Sequence, residues 1–156
     1  MSKESKPYYE DIVYKGVDRA GIMASDGTKK STHTVKAAKV VDLVESIAYK
    51  PMSILDFGCG SKQKHVTRLR EAGFIYTEGH DFSCPNNNIR RGSFDIVYAN
   101  DVLHVLPTDR ALYLTLMDVA GYMNNTGVFY CNFNYPRKLN ISNRKMKAFL
   151  KEIFSE

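Results

Sequence analysis

The sequence predicts an α/β fold with an open, mostly parallel sheet and helices on both of its faces. Apolar strands alternate along the chain with segments of helical periodicity, an order that is typical of strand–helix–strand units. Between Asp81 and Phe94 the chain is too short for a helix, a strand and their turns, so we expect one unit to be reduced to a loop. The 156 residues suffice for one hydrophobic core, and we expect a single domain over 32–156 after an irregular arm over 1–31.

Two helices and a strand are predicted in the first half of this domain. Ser31 and the threonines after it are typical caps of a helix that carries apolar residues at helical spacing from Val40 and ends before Pro51. The segment MSILDFG is apolar on both faces, as buried strands of parallel sheets are. The segment KHVTRLREAGF then returns to helical spacing and ends at a glycine cap.

The second half continues the same alternation. The segments FIYTEGHD and SFDIVYAN are predicted to be strands, and PTDRALYLTLMDVAGYMNNTG a helix with one apolar stripe. The strand VFYCNF and the helix SNRKMKAFLKEIF complete the chain. Ligands of open parallel sheets bind beyond the carboxyl ends of the strands, where the strand order reverses. The strand ends near Asp56, Asp81 and Asn100 are therefore the places where a site is expected.

Composition limits the class of protein. The chain has no apolar run long enough to span a membrane and no apolar block of a signal peptide near its first residue, so we expect a cytoplasmic protein that does not enter membranes. Its three cysteines, Cys59, Cys84 and Cys131, lie far apart and form no CxxC pair. We therefore expect reduced thiols, with neither a disulfide framework nor a metal site.

The positive charge of the chain is concentrated near its end. The formal net charge is +5, but residues 35–136 hold 10 Lys and Arg against 10 Asp and Glu, whereas residues 137–156 hold 6 against 2. This basic C-terminal segment could face the phosphates of a nucleic acid. The alternative is a solvated helix face without a partner.

The segment ILDFGCGSKQ predicts a strand that runs into a glycine loop. Gly58 and Gly60 allow a sharp turn and a close approach of the backbone to a ligand, and the next helix offers its N–H groups to an anion. Asp81 follows Gly60 by 21 residues, at the end of the next strand, where a carboxylate can bind both hydroxyls of a ribose. The loop and the acid together favour an adenosine-type cofactor. They do not favour a nicotinamide dinucleotide, because its fingerprint requires a glycine where Gln63 stands.

Three motifs together resemble those of class I S-adenosylmethionine-dependent methyltransferases. ILDFGCGS, GHDFS and FDIVYANDVLHVLP are similar to that family's glycine motif, ribose-binding acid and fourth-strand motif, in the same order. The resemblance implies a small, Rossmann-like member with a shortened third βα unit. That family commonly closes its sheet with further strands, for which this chain has no room. We therefore expect the last strand to be an open edge, at which a homodimer could form.

The resemblance also implies a cofactor pocket for S-adenosyl-L-methionine. Asp56, Gly58 and Gly60, with Cys59 between the glycines, would line the methionine part, and Asp81 would bind the ribose. The remaining pocket residues, by the same resemblance, are Phe82 against the adenine and Asn100, Asp101 and Val102 under the sulfonium. From the residues alone, Asp56 could instead cap the glycine turn, and Asp81 could be an ordinary loop carboxylate.

Two histidines are the candidate catalytic residues. His104 follows the fourth-strand motif and could act as a base or contact the acceptor, and His33 lies in the segment that similar methyltransferases place over the cofactor. Packing is the alternative for His104, and simple surface exposure for His33. We expect methyl transfer to a nucleic acid or a small molecule. The alternative is a protein that binds the same cofactor without transfer activity.

Overall fold

The protein forms a five-stranded sheet in which every described pair of strands is parallel. A computed structural model describes residues 31–35, 40–60, 62–81, 89–100, 102–103, 106, 109–132 and 143–154. The strands are β1 (Ser31–Val35), β2 (Ile54–Phe57), β3 (Thr77–His80), β4 (Phe94–Ala99) and β5 (Met123–Asn132). The helices are α1 (Val40–Ile47), α2 (Lys64–Glu71), α3 (Asp109–Tyr122) and α4 (Asn143–Phe154). This is the Rossmann-like α/β fold that the alternation of elements predicts.

The strand order β1-β5-β4-β2-β3 places the reversal of the chain between β2 and β4. From β2 the chain moves outward to β3, and it then crosses back past β2 to reach β4 on the other side. The connection that leaves β2 runs to β3, whereas the one that leaves β4 runs the other way to β5, and this opens a crevice beyond the carboxyl ends of β2 and β4. The segments after Phe57 and after Ala99 border this crevice.

Each face of the sheet is covered by two helices, because the strand side chains alternate between the faces. Leu55, Phe57 and Val97 lie in the larger cluster with α3 and α4. Ile54 and Ile96 point the other way, into a smaller cluster with α1 and α2. The residues of β2 are therefore buried on both faces, as its continuous apolar sequence predicts.

The third βα unit is reduced, as expected. No helix or strand occurs among the described residues between β3 and β4, and residues 82–88 lie outside the described part. Ile89 returns to the core with 8 % of its surface exposed. Arg70 Nε donates a hydrogen bond to the Thr77 carbonyl over 2.8 Å, which occupies one backbone acceptor on this strand.

The expectation that the last strand is an open edge is wrong. β1 pairs with β5 along its whole length, from Ser31 opposite Val128 to Val35 opposite Asn132. The residues that the sequence offered as caps of the first helix are thus a strand, and the helix itself begins at Val40. Thr and Val are β-branched and suit a strand, but the partner of β1 lies nearly a hundred residues away in the sequence. Among the described helices, none has both the length and the apolar character needed to cross a bilayer.

Candidate functional site

The first wall of the site is the turn that follows β2. Gly58 has φ of 91°, a backbone conformation that residues other than glycine rarely adopt. A Cβ atom at this position would also collide with Cγ2 of Val102, which follows β4. The backbone N–H groups of Gly58 and Cys59 both donate to the His80 carbonyl, over 2.6 and 3.0 Å. The turn is therefore fixed between the ends of β3 and β4, and Gly58 is required for it to fit.

Asp81 contacts the glycine loop directly. The Gly60 N–H donates a hydrogen bond to Asp81 Oδ1 over 3.1 Å. Gly60 has φ of 74°, and a Cβ atom built there meets no atom within 4 Å. The loop thus turns a bare backbone position toward open space, with a half-buried carboxylate beside it. The structure brings together the glycine and the acid that the sequence singles out.

The absent third glycine has a structural consequence at Gln63. This residue precedes α2 and adopts φ of 49° and ψ of 45°, the left-handed conformation, without a side-chain cap for the helix. It is the one non-glycine residue with positive φ in the described chain. The backbone therefore keeps the turn that a glycine would make easily, at a cost of about 1 kcal/mol.

A further glycine, Gly79 in the middle of β3, was not singled out by the sequence. A Cβ atom there would lie 2.7 Å from Cys59 Sγ and 3.0 Å from Gln63 Oε1. The glycine loop packs closely on this part of β3, so only a residue without a side chain fits. A lone glycine inside an apparent strand is the signal that could have identified it.

Asp56 is buried on the opposite face of β2 from Phe57, with 2 % of its surface exposed. Tyr98 Oη donates a hydrogen bond to Asp56 Oδ2 over 2.9 Å, because the two residues lie opposite each other in the β2–β4 register. Burial raises the pKa of the Asp56 carboxyl from 3.8 to about 7; the bond from Tyr98 lowers it and the charge of Asp81 raises it. Tyr98 was not predicted as part of the site, although its register with Asp56 follows from the pairing of the two strands.

Asn100 lies at the carboxyl end of β4, across the crevice from the glycine loop. Its Oδ1 atom is buried and accepts no hydrogen bond from any described residue. Most buried polar atoms in proteins have a partner, so such an atom at a strand end calls for an explanation. A ligand that donates a hydrogen bond would supply one.

The remaining predicted residues are placed less completely. Cys59 lies in the loop, where its Sγ donates to the Gly60 carbonyl over 3.3 Å. His33 is in the middle of β1, which is three strands from β2, or about 14 Å at the usual strand spacing. Phe82, Asp101 and His104 lie outside the described residues.

Among the described side chains, no group of three or more His, Cys, Asp and Glu residues could hold a metal ion. No protein-family model matches the chain, and no curated protein matches it significantly.

Proposed function

We propose that the protein binds S-adenosyl-L-methionine in the crevice beyond β2 and β4 and transfers its methyl group to an acceptor. One observation carries the proposal: the Gly60 N–H binds Asp81 on one side of the crevice, while buried Asn100 Oδ1 on the other receives no hydrogen bond from the described residues. This combination offers acceptors for both ends of a ligand that has hydroxyl groups at one end and an ammonium group at the other. The motif resemblance supports the same ligand.

The residues present fit this cofactor. The backbone at Gly60 faces space that a side chain would fill, so a flat ligand can approach it closely. Asp81 lies beside it and can accept hydrogen bonds from ribose hydroxyls. Asn100 Oδ1 can accept a hydrogen bond from the ammonium group of the methionine part.

Asp56 contributes to the electrostatics of the pocket rather than to its surface. Its carboxyl is almost fully buried, and the two carboxylates of Asp56 and Asp81 are close enough to influence each other. A cationic ligand in the crevice favours the ionised form of Asp56 and so gains affinity as this group loses its proton. Binding of the cation should therefore tighten as the pH rises through about 7.

The chemistry demands little of the protein beyond alignment and the exclusion of water. When bound, the cofactor would supply a methyl group that is already activated on a sulfonium and needs only an acceptor lone pair in line with it. Val102 packs against Gly58, and Leu103 is fully buried, so two described residues after Asn100 give this wall an apolar part. His104 remains a proposed base or acceptor contact.

Two measurements test the proposal. Calorimetry should detect binding of both S-adenosylmethionine and S-adenosylhomocysteine, and Asp81→Ala should weaken both by at least about tenfold, since a lost hydrogen bond to a charged group costs about 1.5–3 kcal/mol. Wild-type protein that binds neither ligand would rule the proposal out. Transfer from a labelled donor to nucleic acids or metabolite extract tests the reaction itself.

A second function is favoured by the reduced third unit: binding of the same cofactor without transfer. The described chain has no helix or strand between β3 and β4, where a complete unit would have both. Transfer of the label to any acceptor would exclude this function. Binding without transfer to any acceptor class would favour it.

A further inference from the structure

The helices α2, α3 and α4 all begin near the carboxyl ends of the strands, where the candidate site also lies. α3 ends at Tyr122, directly before β5 begins at Met123, so its first turn lies at the carboxyl ends of the strands. α4 runs alongside α3 in the same direction, since Lys145 Nζ lies 3.9 Å from Asp109 Oδ2 and the ring of Phe149 lies 5.2 Å from that of Tyr113. α2 follows the glycine loop and also begins near the carboxyl ends of the strands.

Basic side chains gather at these three helix starts, and we call them the basic rim. All of its members are exposed: Lys62, Lys64, Arg110, Arg144, Lys145 and Lys147. Near the carboxyl ends of the strands, the described carboxylates are Asp81, Asp109 and the buried Asp56. In the described part of the chain, Lys62, Lys64, Arg144 and Lys147 form no ion pair. Among the described residues, the six basic side chains of the rim therefore outnumber the three carboxylates beside them.

Three cations near the amino ends of the strands, by contrast, are engaged within the protein. Lys50 Nζ donates to the Ala72 carbonyl over 2.8 Å, and Arg70 Nε donates to the Thr77 carbonyl over 2.8 Å. Arg91 forms a largely buried ion pair with Asp118, also at 2.8 Å. The protein thus binds these three cations itself, whereas four described cations of the rim form no ion pair with described residues.

We propose that the methyl acceptor is a nucleic acid whose phosphates are bound by the basic rim. The glycine-loop lysines lie on one face of the sheet and the basic residues of α3 and α4 on the other. Because a layer of helices covers each face of the sheet, these two groups of basic residues lie about 20 Å apart. Along one strand of a duplex, about six phosphates cover this distance. A single small anion cannot contact both sides, whereas a polyphosphate chain can, and it would lie across the mouth of the crevice. This inference rests on the proposed function for the transfer step only.

The test is binding of a fluorescent random-sequence oligonucleotide of about 20 nucleotides, single-stranded and duplex, between about 50 and 200 mM salt. Four rim cations without ion pairs predict that log K falls with log salt with a slope of about −3 for a single strand. Arg144→Gln combined with Lys147→Gln should weaken binding by about tenfold at low salt and make the slope shallower by about 1.4. The control is Arg90→Gln, which removes an exposed charge just before β4, at the amino ends of the strands, and should change affinity by less than about twofold.

Several outcomes overturn the inference. These are no oligonucleotide binding at about 50 mM salt, an equal loss with Arg90→Gln, or no incorporation of labelled methyl into RNA or DNA pools. Calorimetry with S-adenosylhomocysteine on the same rim variants separates the two proposals, because neither Arg144 nor Lys147 belongs to the cofactor pocket. Cofactor binding without oligonucleotide binding would overturn only the proposal that the basic rim binds a nucleic acid. Oligonucleotide binding without cofactor binding would overturn the proposed function.

Discussion

Tyr98 donates a hydrogen bond to Asp56 across neighbouring strands, over 2.9 Å, and both side chains are buried. The pair faces α1 and α2, behind the glycine loop and away from solvent. Burial disfavours the ionised form of Asp56 and raises its pKa to about 7, and the same burial, with the charge of Asp56, raises the pKa of Tyr98. A carboxyl that ionises near neutral pH inside the core makes the stability of the protein depend on pH.

Asp56→Asn should make the protein more stable than wild type at high pH. The folded pKa of about 7 exceeds the ordinary 3.8, so the stability that Asp56 contributes is present below about pH 4 and is lost as pH rises through 7. Between about pH 5 and pH 8, the free energy of unfolding of wild type should fall by about 3 kcal/mol relative to the variant. Urea unfolding at several pH values measures this difference. Parallel curves for the two proteins would show that Asp56 does not titrate in this range.

Gly58→Ala should destabilise the protein and disturb the crevice. The new side chain meets Val102 and must adopt φ of 91°, which together should cost about 2–3 kcal/mol. Val102→Ala in the same background removes the collision but not the backbone strain, so we expect partial recovery. Gly60→Ala is the matched comparison, since strain alone acts there and about 1 kcal/mol is expected. Equal losses for the two alanines would show that Val102 does not close on Gly58.

Gln63→Gly should stabilise the protein by about 1 kcal/mol, because a glycine adopts the left-handed conformation without the strain that Gln63 carries. Thermal unfolding would show a higher midpoint. Gln63→Ala is the control, since it removes the same side-chain amide but keeps the Cβ atom. A stabilisation of equal size in both variants would attribute the effect to the amide near Gly79 and not to the backbone.

Asp81→Asn separates the two contacts proposed for Asp81. An amide oxygen still accepts the Gly60 N–H, so the loop should keep its structure, whereas the charge that favours ribose hydroxyls and a cationic ligand is lost. We expect stability within about 0.5 kcal/mol of wild type and an affinity for S-adenosylhomocysteine that is lower by about tenfold. Glu78→Gln, a matched change on the same strand, should leave affinity unchanged. The same loss in both variants would mean that general charge, and not this contact, determines binding.

Arg91→Met should destabilise the protein by about 3 kcal/mol, since it leaves the carboxylate of Asp118, of which 2 % is exposed, without its partner. The guanidinium also lies 4.4 Å from the ring centre of Tyr122, and that contact is lost as well. Arg68→Gln breaks ion pairs of similar length to Asp42 and Glu45, but Arg68 is 44 % exposed and its loss should cost less than about 1 kcal/mol. Comparable losses from denaturant unfolding would contradict the difference in burial.

Local patterns sufficed for most of the fold. The continuous apolar run of β2 and the helical spacing in α1, α2 and α3 depend on residues that are close in sequence, and the structure confirms these elements. β1 could not be predicted in this way. Its five residues include polar side chains, and they form a strand because β5, far along the chain, offers a backbone to pair with.

The residues of the candidate site likewise fall into those that local sequence patterns predict and those that depend on distant parts of the chain. Gly58, Gly60 and Asp81 follow from a turn after one strand and an acid after the next, and the structure brings them into contact. Tyr98 and Gly79 depend on the register between strands, which single-strand patterns do not specify. The role of Gln63 depends on one backbone dihedral angle, and a residue type alone does not predict that angle.

The most direct test of the central claim is a crystal structure of the protein with S-adenosylhomocysteine. We predict the ribose hydroxyls within hydrogen-bonding distance of Asp81, with the amino-acid end of the ligand between the glycine loop and Asn100. The ligand bound at another place, or none bound at saturating concentration, would contradict the account.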